Sequence, residues 1–127
     1  MNRNLVVVVD DDSSIRRVMN MQLEEAGYDV ALAADGEQAR ALIDEHHPKL
    51  VITDLRMPCA DGMDLLRHIR DGGGDTTVII ITAFATVETA VAAMKAGAYD
   101  YISKPIDYDP LVLAVHRAMV RQTLLED

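Results

Sequence analysis

Four places in this sequence could do chemistry together, although they lie far apart along the chain. Asp10-Asp11-Asp12 follows the unbroken apolar run Leu5-Val6-Val7-Val8-Val9. Asp54 follows Leu50-Val51-Ile52-Thr53, Thr82 follows Thr77-Val78-Ile79-Ile80-Ile81, and Lys104 follows Ala98-Tyr99-Asp100-Tyr101-Ile102-Ser103. Each stands where a short, mostly β-branched or aromatic run stops, and such runs read as strands. An acid at a strand end costs folding free energy unless a charged or hydrogen-bonding group meets it, although it also serves simply to begin a turn. Gathered at one edge, three carboxylates would converge, with Asp12 a fourth if it turned inward. Two carboxylates about 4 Å apart repel by roughly 4 kcal/mol at an effective dielectric of about 20, so the cluster calls for a cation. Oxygen-only donors suit a hard ion, and Mg²⁺ is the expected one. Lys104 adds a second positive charge and Thr82 a hydroxyl. Together these groups can hold a phosphoryl group. Asp54 would be the nucleophile, forming an acyl phosphate. The cation and Lys104 would neutralise the phosphoryl oxygens, and Ala83 is small enough to leave room.

The elements that must position these residues alternate five times between strand and helix. A helix from about Ser14 to Ala26, capped by Ser13 or Ser14, places Ile15, Val18, Met19, Gln22 and Leu23 on one flank. Gly27 ends it. Residues 28–33 alternate as an edge strand, and Glu37 to His46 is helical with Ala39, Leu42 and Ile43 inward before His47-Pro48 stops it. Pro58-Cys59-Ala60-Asp61-Gly62 is a loop, followed by a helix from about Met63 to Arg70 with Leu65, Leu66 and Ile69 apolar. Asp71-Gly72-Gly73-Gly74-Asp75 is the segment richest in turn residues. Thr86 caps a helix through Lys95 with Val87, Ala90, Val91 and Met94 on one face. Asp109-Pro110 opens the last helix as N-cap and first helical residue, with Leu111, Leu113, Val115 and Ala118 or Met119 inward. This alternation is the signature of a doubly wound parallel sheet with helices on both faces, in which ligands bind beyond the carboxyl ends of the strands.

Composition narrows the classes. The 127 residues suffice for one domain with a proper core. A formal charge of -9 argues against nucleic-acid contact and is compatible with a metal cation or a basic partner surface. The single cysteine, Cys59, cannot form an internal disulfide, which fits a reducing cytosol; with Arg56 its nearest basic residue, no group marks it as a reactive thiol. No run reaches membrane-spanning length, and the start lacks the form of a signal peptide. His46, His47, His68 and His116 lack ligand spacing and read as surface residues.

Val8-Val9-Asp10-Asp11, Asp54 before Met57-Pro58, Asp61-Gly62, Ile81-Thr82-Ala83, Gly97-Ala98 and Asp100-Tyr101-Ile102-Ser103-Lys104-Pro105 make the chain resemble the response-regulator receiver domain of two-component signalling. The resemblance covers essentially the whole chain, 1–127, as one receiver domain. It implies a flavodoxin-like (βα)5 three-layer sandwich, with a parallel sheet in the order 2-1-3-4-5. It also implies that Asp54 accepts phosphate from a sensor histidine kinase. Asp11 and the Arg56 carbonyl would join Asp54 on Mg²⁺, with Asp10 acting through water. Thr82 and Tyr101 would be a switch pair, Lys104 the phosphate-binding lysine, and Lys104-Pro105 a cis bond. Such a domain is a phosphoacceptor switch rather than an enzyme with a separate substrate; it catalyses only its own Mg²⁺-dependent phosphorylation and dephosphorylation. It is expected in the bacterial cytoplasm.

The segment 88–101 and Asp54-Leu55-Arg56-Met57-Pro58 are most similar to receivers of NtrC-type enhancer-binding activators. The chain then reads as the N-terminal part of a protein continuing into AAA+ and DNA-binding domains, which would carry transcriptional output. Cys59 departs from the glycine frequent at that position.

In the switch reading, Thr82 turns toward the phosphoryl group, Tyr101 fills the vacated space and the helix from Thr86 to Lys95 moves; Tyr101 also reads as a plain half-buried core residue. Val87, Ala92, Tyr99, Tyr108 and Val112 could form a homodimer patch on phosphorylation, and the first and fifth helices are an equal candidate. Three other readings stand beside this one. A nucleotide-binding domain would carry glycines after its first strand. An aspartyl-nucleophile phosphatase would carry an acid where Arg56 stands. A stand-alone phosphorelay receiver would have no output domain.

Overall fold

The computed structural model describes residues 4–57 and 61–126. The expected loop residues Pro58, Cys59 and Ala60 lie outside them. Five parallel strands, β1 (Leu5–Val9), β2 (Asp29–Ala33), β3 (Leu50–Asp54), β4 (Thr77–Thr82) and β5 (Asp100–Ser103), form one sheet in the order β2-β1-β3-β4-β5. The helices are α1 (Ser13–Glu25), α2 (Gly36–His46), α3 (Gly62–Asp71), α4 (Val87–Lys95) and α5 (Tyr108–Glu126). The α/β, doubly wound, flavodoxin-like expectation holds, as does the strand order.

Side chains alternate across a strand, and the alternation sorts the core into two layers. Val7, Val9, Val51, Val78 and Ile80 pack with Ala39, Ile43, Leu65, Leu66, Ile69 and Ala93, so α2, α3 and α4 cover one face. Val6, Val8, Leu50, Ile52, Ile79 and Ile81 pack with Met19, Leu23, Leu111, Val115 and Ala118, so α1 and α5 cover the other. Each fully buried Val, Leu or Ile contributes about 1.5–3 kcal/mol, which explains why β1, β3 and β4 are apolar on consecutive residues.

Several local expectations are corrected. Asp12, rather than a serine, caps α1: its side chain accepts from the Ser14 and Ile15 N–H groups. It therefore does not turn toward the other acids. β5 begins at Asp100 instead of Ala98. α5 begins at Tyr108, and the Leu111 N–H donates to the Asp107 carbonyl, so Asp109 and Pro110 lie inside the first turn. Leu113 is 49% exposed, and its expected inward place is taken by Ala114. The larger apolar residues of α4, Val87, Val91 and Met94, face solvent at 78%, 46% and 48% exposure, while Ala93 is fully buried.

Two polar anchors, unseen in the sequence, hold the end of the sheet opposite the acids. The Arg70 guanidinium donates to the carbonyls of Thr76 at 2.9 Å and Gly97 at 2.8 Å. It ties the end of α3 to the turn after α4. Gly97 has φ +105, a conformation that favours glycine, and a Cβ there would stand 2.8 Å from Arg70 Nε, so the Arg70 side chain would have to shift. Buried Gln122 of α5 donates to the Asp75 carbonyl and to Thr77 Oγ1, fixing the helix against the start of β4. No described helix is long and apolar enough to cross a membrane.

Candidate functional site

Parallel strands all deliver their carboxyl ends to one edge. The register pairs Val9 with Thr53 and Asp54 with Ile81, so Asp10, Asp54 and Thr82 emerge side by side. Asp54 is the last residue of β3 and is buried; Asp10, just past β1, is buried; Asp11 is exposed. Carboxylate oxygens of these three aspartates all lie within 4.8 Å of one another. Among the described residues this is the only group of three or more acidic, histidine or cysteine ligands so placed.

Lys104 closes the cluster. Its Nζ donates to Asp10 Oδ2 at 2.8 Å and to Asp54 Oδ2 at 2.7 Å. Its backbone N–H donates to the Thr82 carbonyl at 2.8 Å, which sets where the side chain starts. The Lys104-Pro105 bond is cis, as the resemblance implied. Burial alone pulls the Lys104 ammonium down, but the hydrogen bonds and charges of Asp10 and Asp54 outweigh it, so its pKa stands above the ordinary lysine value. Asp10 also acts on Tyr108: burial, then the Asp10 charge, raises its phenol, and Lys104 acts in the opposite sense.

Asp10 is engaged at every polar group. Its N–H donates to the Ala33 carbonyl, Oδ1 accepts from the Asp12 N–H at 2.9 Å, and its carbonyl accepts from Arg16 Nη1 at 2.6 Å. Asp11 has no hydrogen-bond partner among the described residues. Asp54 Oδ1 accepts the Arg56 N–H at 3.2 Å. Gly62 packs directly behind Asp54: a Cβ on Gly62 would stand 2.6 Å from the Asp54 carbonyl oxygen. This close approach, which only glycine allows, fixes the backbone at the carboxylate.

Thr82 is buried at the end of β4, but its hydroxyl accepts from the Phe84 N–H at 3.0 Å rather than meeting an acid. Phe84 is exposed and lies under the Arg56 guanidinium, 4.6 Å from ring centre to Cζ, so the loops after β3 and β4 touch above the site. Tyr101 is half-buried, and its hydroxyl shares a hydrogen bond of 2.6 Å with Thr89 Oγ1. Thr89 is reciprocally bonded to the cap residue Thr86 at the start of α4. The sequence reading missed Thr89, Arg16 and the closeness of Gly62. The Thr-x-x-Thr spacing at 86–89 was the available signal for the first.

Of the histidines, His46, His47 and His116 are exposed, and His116 Nδ1 bonds the Tyr28 hydroxyl. His68 is half-buried, bonded to Asp44 at 2.8 Å and facing Arg40, so it is a link between α2 and α3 rather than a plain surface residue. In the expected self-association patch, Val87 and Ala92 are exposed, whereas Tyr99 and Tyr108 pack partly against the α1/α5 core layer.

Chemically, the donor set fits a hard divalent cation: carboxylate oxygens only, one of them exposed and unpartnered. The Lys104 ammonium meets two of these carboxylates directly, and the buried Thr82 hydroxyl lies at the end of the neighbouring strand.

Comparison with known proteins agrees with this geometry. The family model described as "Response regulator receiver domain" matches residues 6–116. The chain is 39% identical over 124 residues to the regulatory protein AtoC of Escherichia coli, covering 98% of this chain and 27% of that protein. It is 40% identical over 123 residues to the C4-dicarboxylate transport transcriptional regulatory protein DctD of Pseudomonas aeruginosa, covering 96% and 27%. Thus the chain spans about a quarter of the length of these relatives, both NtrC-type activators. Among solved structures, a receiver domain protein from Clostridium thermocellum superposes with TM-score 0.90 at 34% identity, covering 95% of this chain and 98% of that one. NtrX from Brucella abortus gives TM-score 0.88 at 34% identity, covering 96% and 28%.

Proposed function

The chain belongs to the response-regulator receiver domain family, and on that premise we propose that it is a phosphorylation switch whose acceptor is Asp54. The donor is the phosphohistidine of a sensor histidine kinase. An Asp54 carboxylate oxygen forms a bond to phosphorus as the P–N bond to the donor imidazole breaks, and the electron pair returns to the imidazole. The observation that carries this reading is the Lys104 ammonium held against both Asp10 and Asp54, a positive charge placed where phosphoryl oxygens would develop theirs. Asp11, Asp54 and the Arg56 carbonyl would hold Mg²⁺, with Asp10, already saturated by protein donors, acting through water. When bound, Mg²⁺ supplies charge neutralisation for the phosphoryl oxygens.

The switch follows from the hydroxyls. The Thr82 hydroxyl would leave the Phe84 N–H and turn to the phosphoryl group. Tyr101 would then move into the space behind it and give up Thr89. Because Thr89 is half of the α4 capping box, that move loosens the first turn of α4, and the added charge biases a two-state element. The similarity to AtoC and DctD favours an NtrC-type activator as the whole protein. Transcriptional output would then reside in further AAA+ and DNA-binding domains, with cytoplasmic location and phosphorylation-linked homodimerisation.

The test is mass spectrometry after incubation with acetyl phosphate and Mg²⁺. A gain of a single phosphoryl group that requires Mg²⁺ and is lost in Asp54→Asn is expected. Labelling that survives Asp54→Asn would overturn the assignment, and sustained turnover of an exogenous phosphoester would favour the phosphatase instead.

A further inference from the structure

The loop that carries Asp11 is held by a side chain that phosphoryl chemistry does not use. Arg16 lies in α1, half-buried, and its Nη1 donates to the Asp10 carbonyl at 2.6 Å. Its own N–H donates to the Asp12 carbonyl at 3.1 Å. The helix register set by the Asp12 cap therefore points Arg16 back at the loop from which the helix starts. The Asp10–Asp11 peptide is gripped at its carbonyl by Arg16. The following peptide is gripped at its N–H by Asp10 Oδ1. The Asp11 carboxylate between these grips has no partner of its own among the described residues, so what the protein holds is the backbone from which that side chain projects.

We propose that Arg16 is the positioning residue of the cation site, orienting the Asp11 carboxylate by holding the Asp10–Asp11 peptide plane. This rests on the reading of the acidic cluster as a Mg²⁺ site. Residues that orient metal ligands without touching the metal can matter to affinity as much as 10- to 100-fold, and a guanidinium–carbonyl bond is charge-assisted and directional. The sign of the effect separates positioning from charge. Arg16 is a cation beside three carboxylates, so removing its charge alone would tighten Mg²⁺ binding. Loss of positioning weakens it.

Isothermal titration of Mg²⁺ into the wild type, Arg16→Gln, Arg16→Lys and Arg17→Gln tests this, with a thermal melt of each chain without metal. Arg17 is exposed and adjacent, so its variant reports the charge effect. The expected result is about tenfold weaker Mg²⁺ binding in Arg16→Gln, weaker binding in the charge-conserving Arg16→Lys, and unchanged or slightly tighter binding in Arg17→Gln. Mg²⁺ binding as tight as wild type, or tighter, in both Arg16 variants would overturn the proposal. Arg16→Lys decides the matter if Arg16→Gln does not melt cooperatively. A wild-type chain that takes up no Mg²⁺ would instead overturn the metal-site reading beneath it.

Discussion

Replacing Lys104 with methionine keeps most of the side-chain volume and removes the ammonium, with its charge and its two hydrogen bonds, that joins Asp10 to Asp54. In the folded protein the Lys104, Asp10 and Asp54 side chains are 14%, 4% and 9% exposed, so solvent screens this group weakly. Without the ammonium, carboxylate oxygens within 4.8 Å of one another remain. At an effective dielectric of about 20 their mutual repulsion is about 3–4 kcal/mol, which matches the 3–5 kcal/mol range typical of breaking a buried ion pair from one side. Lys104→Met should therefore lose about 3 kcal/mol in urea denaturation without metal. Two further results follow from the same cause. Mg²⁺ should stabilise Lys104→Met more than it stabilises the wild type, because the cation replaces the missing charge. Asp10→Asn, added to Lys104→Met, should recover part of the loss, a coupling that a double-mutant cycle measures. A loss below about 1 kcal/mol, with equal Mg²⁺ stabilisation in both proteins, would refute the view that these buried carboxylates depend on Lys104.

The pH dependence has a definite sign. Because the folded pKa of Lys104 is raised, its stabilisation is fully present below the unfolded value of about 10.4 and is lost as pH rises through the higher folded value; the stability gap between wild type and Lys104→Met, followed by urea melts from neutral to alkaline pH, should narrow only there. Tyr101→Phe removes the hydrogen bond to Thr89 and should cost about 1 kcal/mol. Amide exchange should speed up in the first turn of α4 while the extent of acetyl phosphate labelling stays unchanged. Gly62→Ala forces a methyl group to 2.6 Å from the Asp54 carbonyl; about 1–3 kcal/mol of overpacking should appear in denaturation, together with slower phosphoryl labelling. Gln122→Ala leaves the Asp75 carbonyl and Thr77 Oγ1 without their buried donor and should cost about 1–3 kcal/mol, with labelling intact.

The sequence by itself determined the five strands, because runs such as Val78-Ile79-Ile80-Ile81 are apolar on consecutive residues and admit only an element buried on both faces. It also determined which residues end those strands, and so that Asp10, Asp54, Thr82 and Lys104 would share an edge. Those facts are local: they depend on side-chain type and a short period. Which face of α4 is buried was not local. Its largest apolar residues, Val87, Val91 and Met94, gave the stronger stripe, yet the space against the sheet admits Ala93 instead. The start of α5 misread for a similar reason, since Asp-Pro is a good helix opening anywhere, and here the chain was already turning at Tyr108. The grip of Arg16 on Asp10 and the bond from Tyr101 to Thr89 were decided only in three dimensions. Long polar side chains choose partners by reach and direction, and neither is written in the spacing of residues along one chain.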